Sequence, residues 1–223
     1  MRTHHECACG ILLVELLCSS TTSVYISEAA KLESAVRAYP VASGVTYIRW
    51  GKTSCPDKSS LVYKGRVGGS YFEARGGGAN YLCLPDDPEY TDAALAAANV
   101  GSYIYGTEYD RDHLFDKSGL HNHNAPCAVC QADRRSTVIM IPARVRCPDS
   151  SWTKEYSGYI MALYQSQHRS MFTCVDHFAE AVPGMAIDTN GALFYYFGID
   201  CHSLGHCPPY QSGKALSCVV CSK

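Results

Sequence analysis

Charged residues are scarce in this sequence of 223 residues. Lysine and arginine number 19 against 21 aspartates and glutamates, and all four types together make up only 18% of the chain. A protein that binds nucleic acid through its phosphates usually shows a basic patch or stripe, and no such run occurs here. A basic amphipathic segment of the kind that lies on a membrane surface is missing too. The sequence therefore predicts partners other than nucleic acids and membranes.

Long hydrophobic runs and enzyme motifs are also missing. The apolar run at residues 11–17 is far shorter than the roughly 20 residues that cross a bilayer. The glycine-rich segments near Gly68 and Gly77 match neither a phosphate-binding nor a dinucleotide-binding loop, and no nucleophile elbow is present. No Asn-X-Ser/Thr acceptor for N-glycosylation occurs. We therefore predict no enzymatic activity, no catalytic residue and no cofactor.

Cysteine, in contrast, is abundant. The chain has 13 cysteines, three of them within the first 18 residues and the other ten from Cys55 onward. An even number of cysteines in the body of a chain is typical of a disulfide framework, which forms in an oxidising compartment.

The N-terminal segment has the layout of a secretory signal peptide. Arg2 stands near the start, the apolar run follows, and small polar residues come next, so residues 1–23 are predicted to be cleaved. Glu6 and Glu15 depart from this pattern, because a carboxylate in an apolar run is costly in a membrane. The alternative is a short buried helix with three free cysteines. The signal-peptide interpretation predicts a secreted, extracellular protein.

A short helix is predicted next, over residues 27–38 of a linker at 24–43. Ser27 can cap it and Pro40 ends it. Such a helix lies on the adjoining domain or helps chains to associate.

From residue 44 onward the sequence is typical of many short strands. β-Branched and aromatic runs alternate with turns rich in Gly, Pro, Asp and Asn. Sixteen tyrosines against six phenylalanines suggest strands with half-exposed aromatic faces. The only helical suggestion in this part is the alanine-rich segment 91–101. We expect a mainly β protein of the α+β class.

An internal repeat divides this part of the chain. Four cysteines recur after 91 or 92 residues, in the pairs Cys55 and Cys147, Cys83 and Cys174, Cys127 and Cys218, and Cys130 and Cys221. Chance rarely keeps four spacings constant to one residue, and a fixed period indicates a repeated structural unit. We predict two tandem homologous subdomains, at residues 44–131 and 132–223.

Each predicted subdomain ends in a Cys-x-x-Cys pair, which allows three interpretations. A redox centre needs its first thiol at a helix N-terminus, whereas a strand-like segment follows Cys130. Two such pairs can form a four-thiolate zinc site, but that leaves six further cysteines unexplained. The repeat favours structural disulfides, in which each pair bonds two earlier cysteines of its own unit. These sets are Cys127 and Cys130 with Cys55 and Cys83, Cys218 and Cys221 with Cys147 and Cys174, and Cys201 with Cys207.

The segment "PCAVCQADRRSTVIMIPARVRCPDSSWTKEYSGYIMAL" resembles the junction between the two subdomains of the non-collagenous C-terminal domain of type IV collagen. "IDCHSLGHC" resembles a short cysteine-bounded loop of that domain. "GVTYIRWGKTSCP", "GGGANYLCLPDDPEY" and "CPPYQSGKALSCVVC" are similar to segments of the short-chain, spongin-type collagen-related family of invertebrates. The likeness runs from about residue 44 to residue 223.

The resemblance implies two strand-rich subdomains related to the C-type-lectin-like fold. It also implies a specific pairing of the cysteines: Cys55–Cys130, Cys83–Cys127, Cys147–Cys221, Cys174–Cys218 and Cys201–Cys207. Two departures are evident. The first subdomain lacks the pair that closes the short loop, and no Gly-X-Y repeat is present, so this chain cannot form a collagen triple helix.

These features predict a secreted, non-enzymatic protein of the extracellular matrix. It would associate with itself, as trimers or higher oligomers, or with other matrix proteins. The alternative is a soluble carbohydrate-binding or immune-recognition protein, with or without a dependence on calcium. The chain lacks the Glu-Pro-Asn and Gln-Pro-Asp signatures that many calcium-dependent lectins use for sugars.

Two weak metal-ligand candidates remain, and we expect no metal. His121 and His123 share one face of an extended segment, although a polar turn is the simpler interpretation. Asp86 and Asp87, with Glu89 nearby, offer oxygens suited to calcium, but such a run is more often a solvated turn.

Overall fold

Ten strands and one short helix make up the regular structure of the described residues. In the computed structural model these residues are 43–90, 101–205 and 207–223. The elements are β1 (Gly44–Trp50), β2 (Ser59–Gly69), β3 (Leu82–Pro85), β4 (Tyr105–Tyr109), β5 (Pro126–Asp133), β6 (Val138–Pro142), β7 (Thr153–Ala162), β8 (Thr173–Asp176), β9 (Ala192–Tyr196), α1 (Cys201–Leu204) and β10 (Ser217–Ser222). The prediction of a mainly β protein is confirmed.

Three sequence predictions concern residues outside the described part. They are the signal peptide at 1–23, the helix at 27–38 and, apart from its last residue, the alanine-rich segment 91–101. Within the described part, no helix has the length and apolar character needed to cross a membrane.

Seven of the strands close into a barrel-like ring. The order is β1, β5, β2, β4, β9, β7 and β8, and β8 returns to β1. The pairs β1–β8 and β4–β9 are parallel, and the others in the ring are antiparallel. Outside the ring, β3 pairs with β2, β10 pairs with β7, and β6 pairs with β10. The sheet is therefore mixed, and the strands of the two sequence halves meet at two places in the ring, β4–β9 and β1–β8.

The strand that ends each sequence half lies in the middle of that half. β5 is bonded to β1 on one side and β2 on the other, and β10 is bonded to β6 and β7 in the same way. Both central strands are buried along most of their length. The Cys-x-x-Cys residues of both strands, Cys127, Cys130, Cys218 and Cys221, are fully buried.

Two hydrophobic clusters form the core, and each contains residues from both halves. The larger members of the first cluster are Trp50, Tyr109, Met161, Val175 and Phe194. The second cluster includes Tyr47, Cys130, Tyr156, Ile160 and Val220. Because neither half buries its apolar residues alone, the two halves fold as one unit.

Five disulfides tie this core together. They are Cys55–Cys130, Cys83–Cys127, Cys147–Cys221, Cys174–Cys218 and Cys201–Cys207, the same pairs that the resemblance implies. Such a framework indicates an oxidising environment. A bridge that closes a loop of this kind stabilises by about 3–4 kcal/mol through its effect on the unfolded chain, although overlapping bridges do not add.

Candidate functional site

The two sequence halves have the same internal connectivity. In the first half the strands pair in the order β1, β5, β2, and β2 carries β3 and β4. In the second half the order is β6, β10, β7, and β7 carries β8 and β9. The disulfides agree, because the long bridges span 75 and 74 residues and the shorter ones both span 44. Each strand of one half therefore has a defined counterpart in the other.

Two glycines fix this correspondence to single residues. Gly65 of β2 lies opposite Pro85 of β3, and Gly158 of β7 lies opposite Asp176 of β8. A Cβ atom on either glycine would stand 1.7 Å from a backbone carbonyl oxygen of the neighbouring strand, so only glycine fits at both places. Pro85 and Asp176 are thus counterparts.

The same reasoning matches β1 to β6. Trp50 lies opposite Cys127, and Pro142 lies opposite Cys218. Because these cysteines are repeat equivalents, Trp50 and Pro142 are counterparts, and one residue earlier so are Arg49 and Ile141.

One junction between the halves is formed by β1 and β8. Trp50 pairs with Val175 in parallel orientation, and both side chains are buried. The Arg49 guanidinium lies 2.7 Å from the Asp176 carboxylate, whose side chain is only 1% exposed. A buried charge requires a partner of this kind, and the ion pair therefore specifies which strand β8 meets.

A second carboxylate strengthens this junction. Glu180 follows β8 and accepts hydrogen bonds from the Lys52 ammonium, from the Thr53 backbone N–H and from the Thr53 hydroxyl. Partial burial favours the protonated form of Glu180, but these hydrogen bonds outweigh it and hold the pKa of the carboxyl below its usual value.

The halves are also joined through Glu155, a buried carboxylate of β7. Its oxygens accept hydrogen bonds from the Tyr47 hydroxyl at 2.6 Å and the Ser59 hydroxyl at 2.9 Å, both in the first half, and from the Ser222 hydroxyl in the second. Burial and the bond to Glu155 raise the pKa of Tyr47, so its phenol keeps the proton that it donates. Tyr47 and Tyr156 are both buried, at 7% and 4% exposure, rather than half-exposed.

The strands that correspond to β1 and β8 do not pair with each other. Within the described residues, β3 pairs only with β2, and β6 pairs only with β10. These two strands correspond to β8 and β1, which meet each other. The described residues therefore fill one of two equivalent junctions and leave two open strand edges, which we call the β3 edge and the β6 edge.

The side chains of the unpaired strands are also more exposed than those of their paired counterparts. All four residues of β8 are buried, whereas in β3 only Cys83 is. Leu82 is 45% exposed, although its counterpart Thr173 is 2% exposed. In β6, whose residues are Val-Ile-Met-Ile-Pro, no residue is buried and Met140 is 39% exposed. Open apolar edges of this kind are sites where another strand can add.

The weak metal candidates do not converge. The Nδ1 atom of His123 lies 3.0 Å from the carbonyl oxygen of His121, so one ring contacts the backbone of the other residue. Asp86 lies 3.6 Å from Arg66, and Asp87 is exposed in the turn after β3. Across the part of the chain that the structure describes, no three His, Cys, Asp or Glu side chains form a group able to hold a metal ion.

No family model matches the chain. The site must therefore be interpreted from its own residues, and the two open edges are the feature that the fold leaves unsatisfied.

Sequence analysis identified the repeat but not these edges. A signal was present, because five consecutive apolar residues at 138–142 replace the mixture of polar and apolar residues in Gly44–Trp50. That signal is ambiguous, since a continuous apolar run is equally typical of a strand buried within its own chain.

Proposed function

We propose that this protein is a secreted, non-enzymatic assembly module of the extracellular matrix, which associates with itself by joining the β3 edge of one copy to the β6 edge of the next. The observation that carries the proposal is the filled β1–β8 junction, whose counterpart strands are both open. The chain itself provides the geometry for such a contact.

The residues at the open edges suit burial between copies. The ion pair of Arg49 with Asp176 in the filled junction has Ile141 and Pro85 as its counterparts. Trp50 and Val175 are replaced by Pro142 and Leu84 in the same way. An apolar junction between copies avoids the desolvation cost of a buried ion pair and gains from the area removed from water.

The contact would be heterologous, because it joins different surfaces of two identical chains. Interfaces of this type produce closed rings when the rotation closes and open filaments when it does not. Every copy has one β3 edge and one β6 edge, so a ring leaves no edge unfilled. We expect a closed oligomer of three or more chains.

The disulfide framework supports the location. Five bridges are typical of an oxidising environment such as that outside the cell.

The test is the native mass of the secreted protein, measured by light scattering after size exclusion. The wild-type protein is expected to be oligomeric, and Leu82→Glu is expected to be monomeric with its fold intact. Leu204→Glu is the matched control, because Leu204 in α1 is 46% exposed, about as much as Leu82, and belongs to neither edge strand. A wild-type protein that stays at the mass of one chain at all concentrations would contradict the proposal.

A further inference from the structure

A row of adjoining depressions runs over the surface of the protein. It consists of four depressions with volumes between about 290 and about 700 Å³, and each depression shares lining residues with the next one along the row. The first and second share Lys214, the second and third share Tyr164 and Phe197, and the third and fourth share His168 and Arg169. We call this row the basic groove.

The residues that line the basic groove differ in charge from the chain as a whole. The chain has more acidic than basic residues, 21 against 19. The groove is nevertheless lined by five arginines and lysines and by no aspartate or glutamate. In order along the row, the five are Arg144, Lys214, Arg111, Arg169 and Arg75. Concave surfaces lined by one sign of charge focus the field and attract ligands of the opposite sign.

These cations are available to a ligand. All five are exposed. Arg111 has Asp110 as a neighbour at 3.6 Å, and its side chain remains 58% exposed. Among the described residues, no carboxylate lies within ion-pair distance of the other four. Cations elsewhere on the surface are no less exposed, so the difference lies in their gathering along one groove.

Aromatic rings stand between the cations. Tyr164 is 46% exposed, and its ring centre lies 5.1 Å from that of Tyr195. Phe172 is 57% exposed and contacts Phe197 at 5.1 Å. The Arg111 guanidinium lies 6.0 Å from the centre of the Tyr195 ring. The negative face of an aromatic ring attracts the C–H groups on the apolar face of a pyranose, so exposed rings of this kind provide platforms for sugars.

We infer that the basic groove binds an extended anionic polysaccharide, whose sulfate or carboxylate groups pair with the five cations while sugar rings pack on Tyr164 and Phe172. The guanidinium fork matches both anions in two-point hydrogen bonding. The groove meets the β6 edge at Pro142 alone, so this activity can be tested separately from the association of copies through cations that lie outside both edges.

A polysaccharide fits this groove better than a nucleic acid does. Double-stranded DNA presents one phosphate charge about every 1.7 Å along its axis, and binding it takes a dense basic face, whereas these five cations are spread over four depressions. The disulfide framework also indicates an oxidising environment, where acidic polysaccharides are abundant and nucleic acids are not.

The test measures binding of heparin and of hyaluronan oligosaccharides to the full secreted chain by titration calorimetry at several salt concentrations. Heparin carries sulfates and carboxylates, hyaluronan only carboxylates, so the two probes distinguish the anion. The variant Arg111→Gln/Arg169→Gln/Lys214→Gln is expected to lose at least about tenfold in affinity, with a salt dependence flatter by about one unit of log–log slope for each cation removed.

The control is Lys64→Gln/Lys117→Gln/Lys154→Gln, which removes the same charge from exposed positions outside the groove. It is expected to keep wild-type affinity. Equal losses in both triple variants would show that overall charge, not the groove, determines binding, and would overturn the inference. So would failure of the wild-type protein to bind either probe, or tighter binding of a DNA oligonucleotide of equal charge. Native mass, measured on the same samples, separates this result from failure of self-association.

Discussion

Strands β3 and β8 hold the same place in the two halves of this protein, yet their surroundings are opposite. Each carries a cysteine bonded to the central strand of its half, and each faces a glycine that admits its backbone closely. β8 is buried along its whole length because β1 lies beside it. β3 has no such neighbour in the described residues and exposes most of its side chains.

The difference shows that both halves contain the same set of strands, but that only one of the two equivalent junctions between them is formed. A strictly two-fold arrangement of the halves would bring β3 to β6 just as it brings β8 to β1. The described part of the chain makes only the second of these contacts, and the residues of the two junctions differ in kind. The filled junction has an ion pair and a tryptophan, whereas its open counterpart has only aliphatic residues and prolines.

The sharpest test of this comparison removes the tryptophan and its counterpart. Trp50 is 6% exposed in the first core cluster, so Trp50→Ala should lower the free energy of unfolding by about 3–5 kcal/mol, as large-to-small core substitutions do. Pro142 is exposed, and Pro142→Ala should change it by less than about 0.5 kcal/mol. Urea denaturation of dilute protein with disulfides intact measures both. Equal effects would contradict the assignment of the two junctions.

The ion pair offers the next test. Asp176→Ala leaves the Arg49 charge largely buried and removes the acceptor of the Phe178 backbone N–H, so it should destabilise by about 3 kcal/mol. Its counterpart Pro85→Ala should have little effect on a single chain. Adding Arg49→Met to Asp176→Ala should restore much of the loss, because no unpaired charge then remains. Denaturation midpoints across the double-mutant cycle check this, and strict additivity would show that the pair does not interact.

A transplant of this pair to the open junction should change association more than folding. Ile141→Arg alone is expected to weaken self-association at least about tenfold, because it buries an unpaired charge between copies. Pro85→Asp alone should do the same. Chains that carry both should recover part of the lost association, as oppositely charged partners then meet. Dissociation constants from sedimentation equilibrium measure this, and no recovery in the double variant would place Ile141 and Pro85 apart in the oligomer.

Much of this fold could be predicted from residue spacing. The recurrence of Cys55, Cys83, Cys127 and Cys130 after 91 or 92 residues indicates two units, because disulfide partners must stay within about 6 Å and tolerate no drift in register. The runs of β-branched and aromatic residues also form strands in the structure, since such side chains fit a pleated, half-buried surface.

The pairing of strands from different halves was not predictable in the same way. Local patterns report which face of a strand is apolar, and they do not report which neighbour covers it. The parallel contacts of Trp50 with Val175 and of Tyr109 with Phe194 join residues far apart in sequence. The basic groove could not be predicted from the sequence for a related reason. Its cations are far apart along the chain and form no run of positive charge; they are Arg75, Arg111, Arg144, Arg169 and Lys214.

The smallest expected effect concerns acid. Because the folded-state pKa of Glu180 lies below its usual value near 4.5, its bonds to Lys52 and Thr53 stabilise the protein above that pH and are lost as the pH falls through the folded-state pKa. The stability difference between the wild-type protein and Glu180→Gln should therefore be full at pH 7 and shrink below pH 4.5. Urea denaturation at a series of pH values measures it.

The repeat counterpart of Glu180 is Glu89, because each lies six residues after the cysteine of its β3 or β8 strand, and Glu89 is exposed in the turn after β3. Glu89 has no ion-pair partner among the described residues, so acid should affect the filled junction more than the β3 edge. If the advantage of the wild-type protein over Glu180→Gln stayed constant down to pH 3, Glu180 would not act as an ionised clamp. The contrast between a polar junction inside the chain and an apolar one between chains would then rest on Arg49 and Asp176 alone.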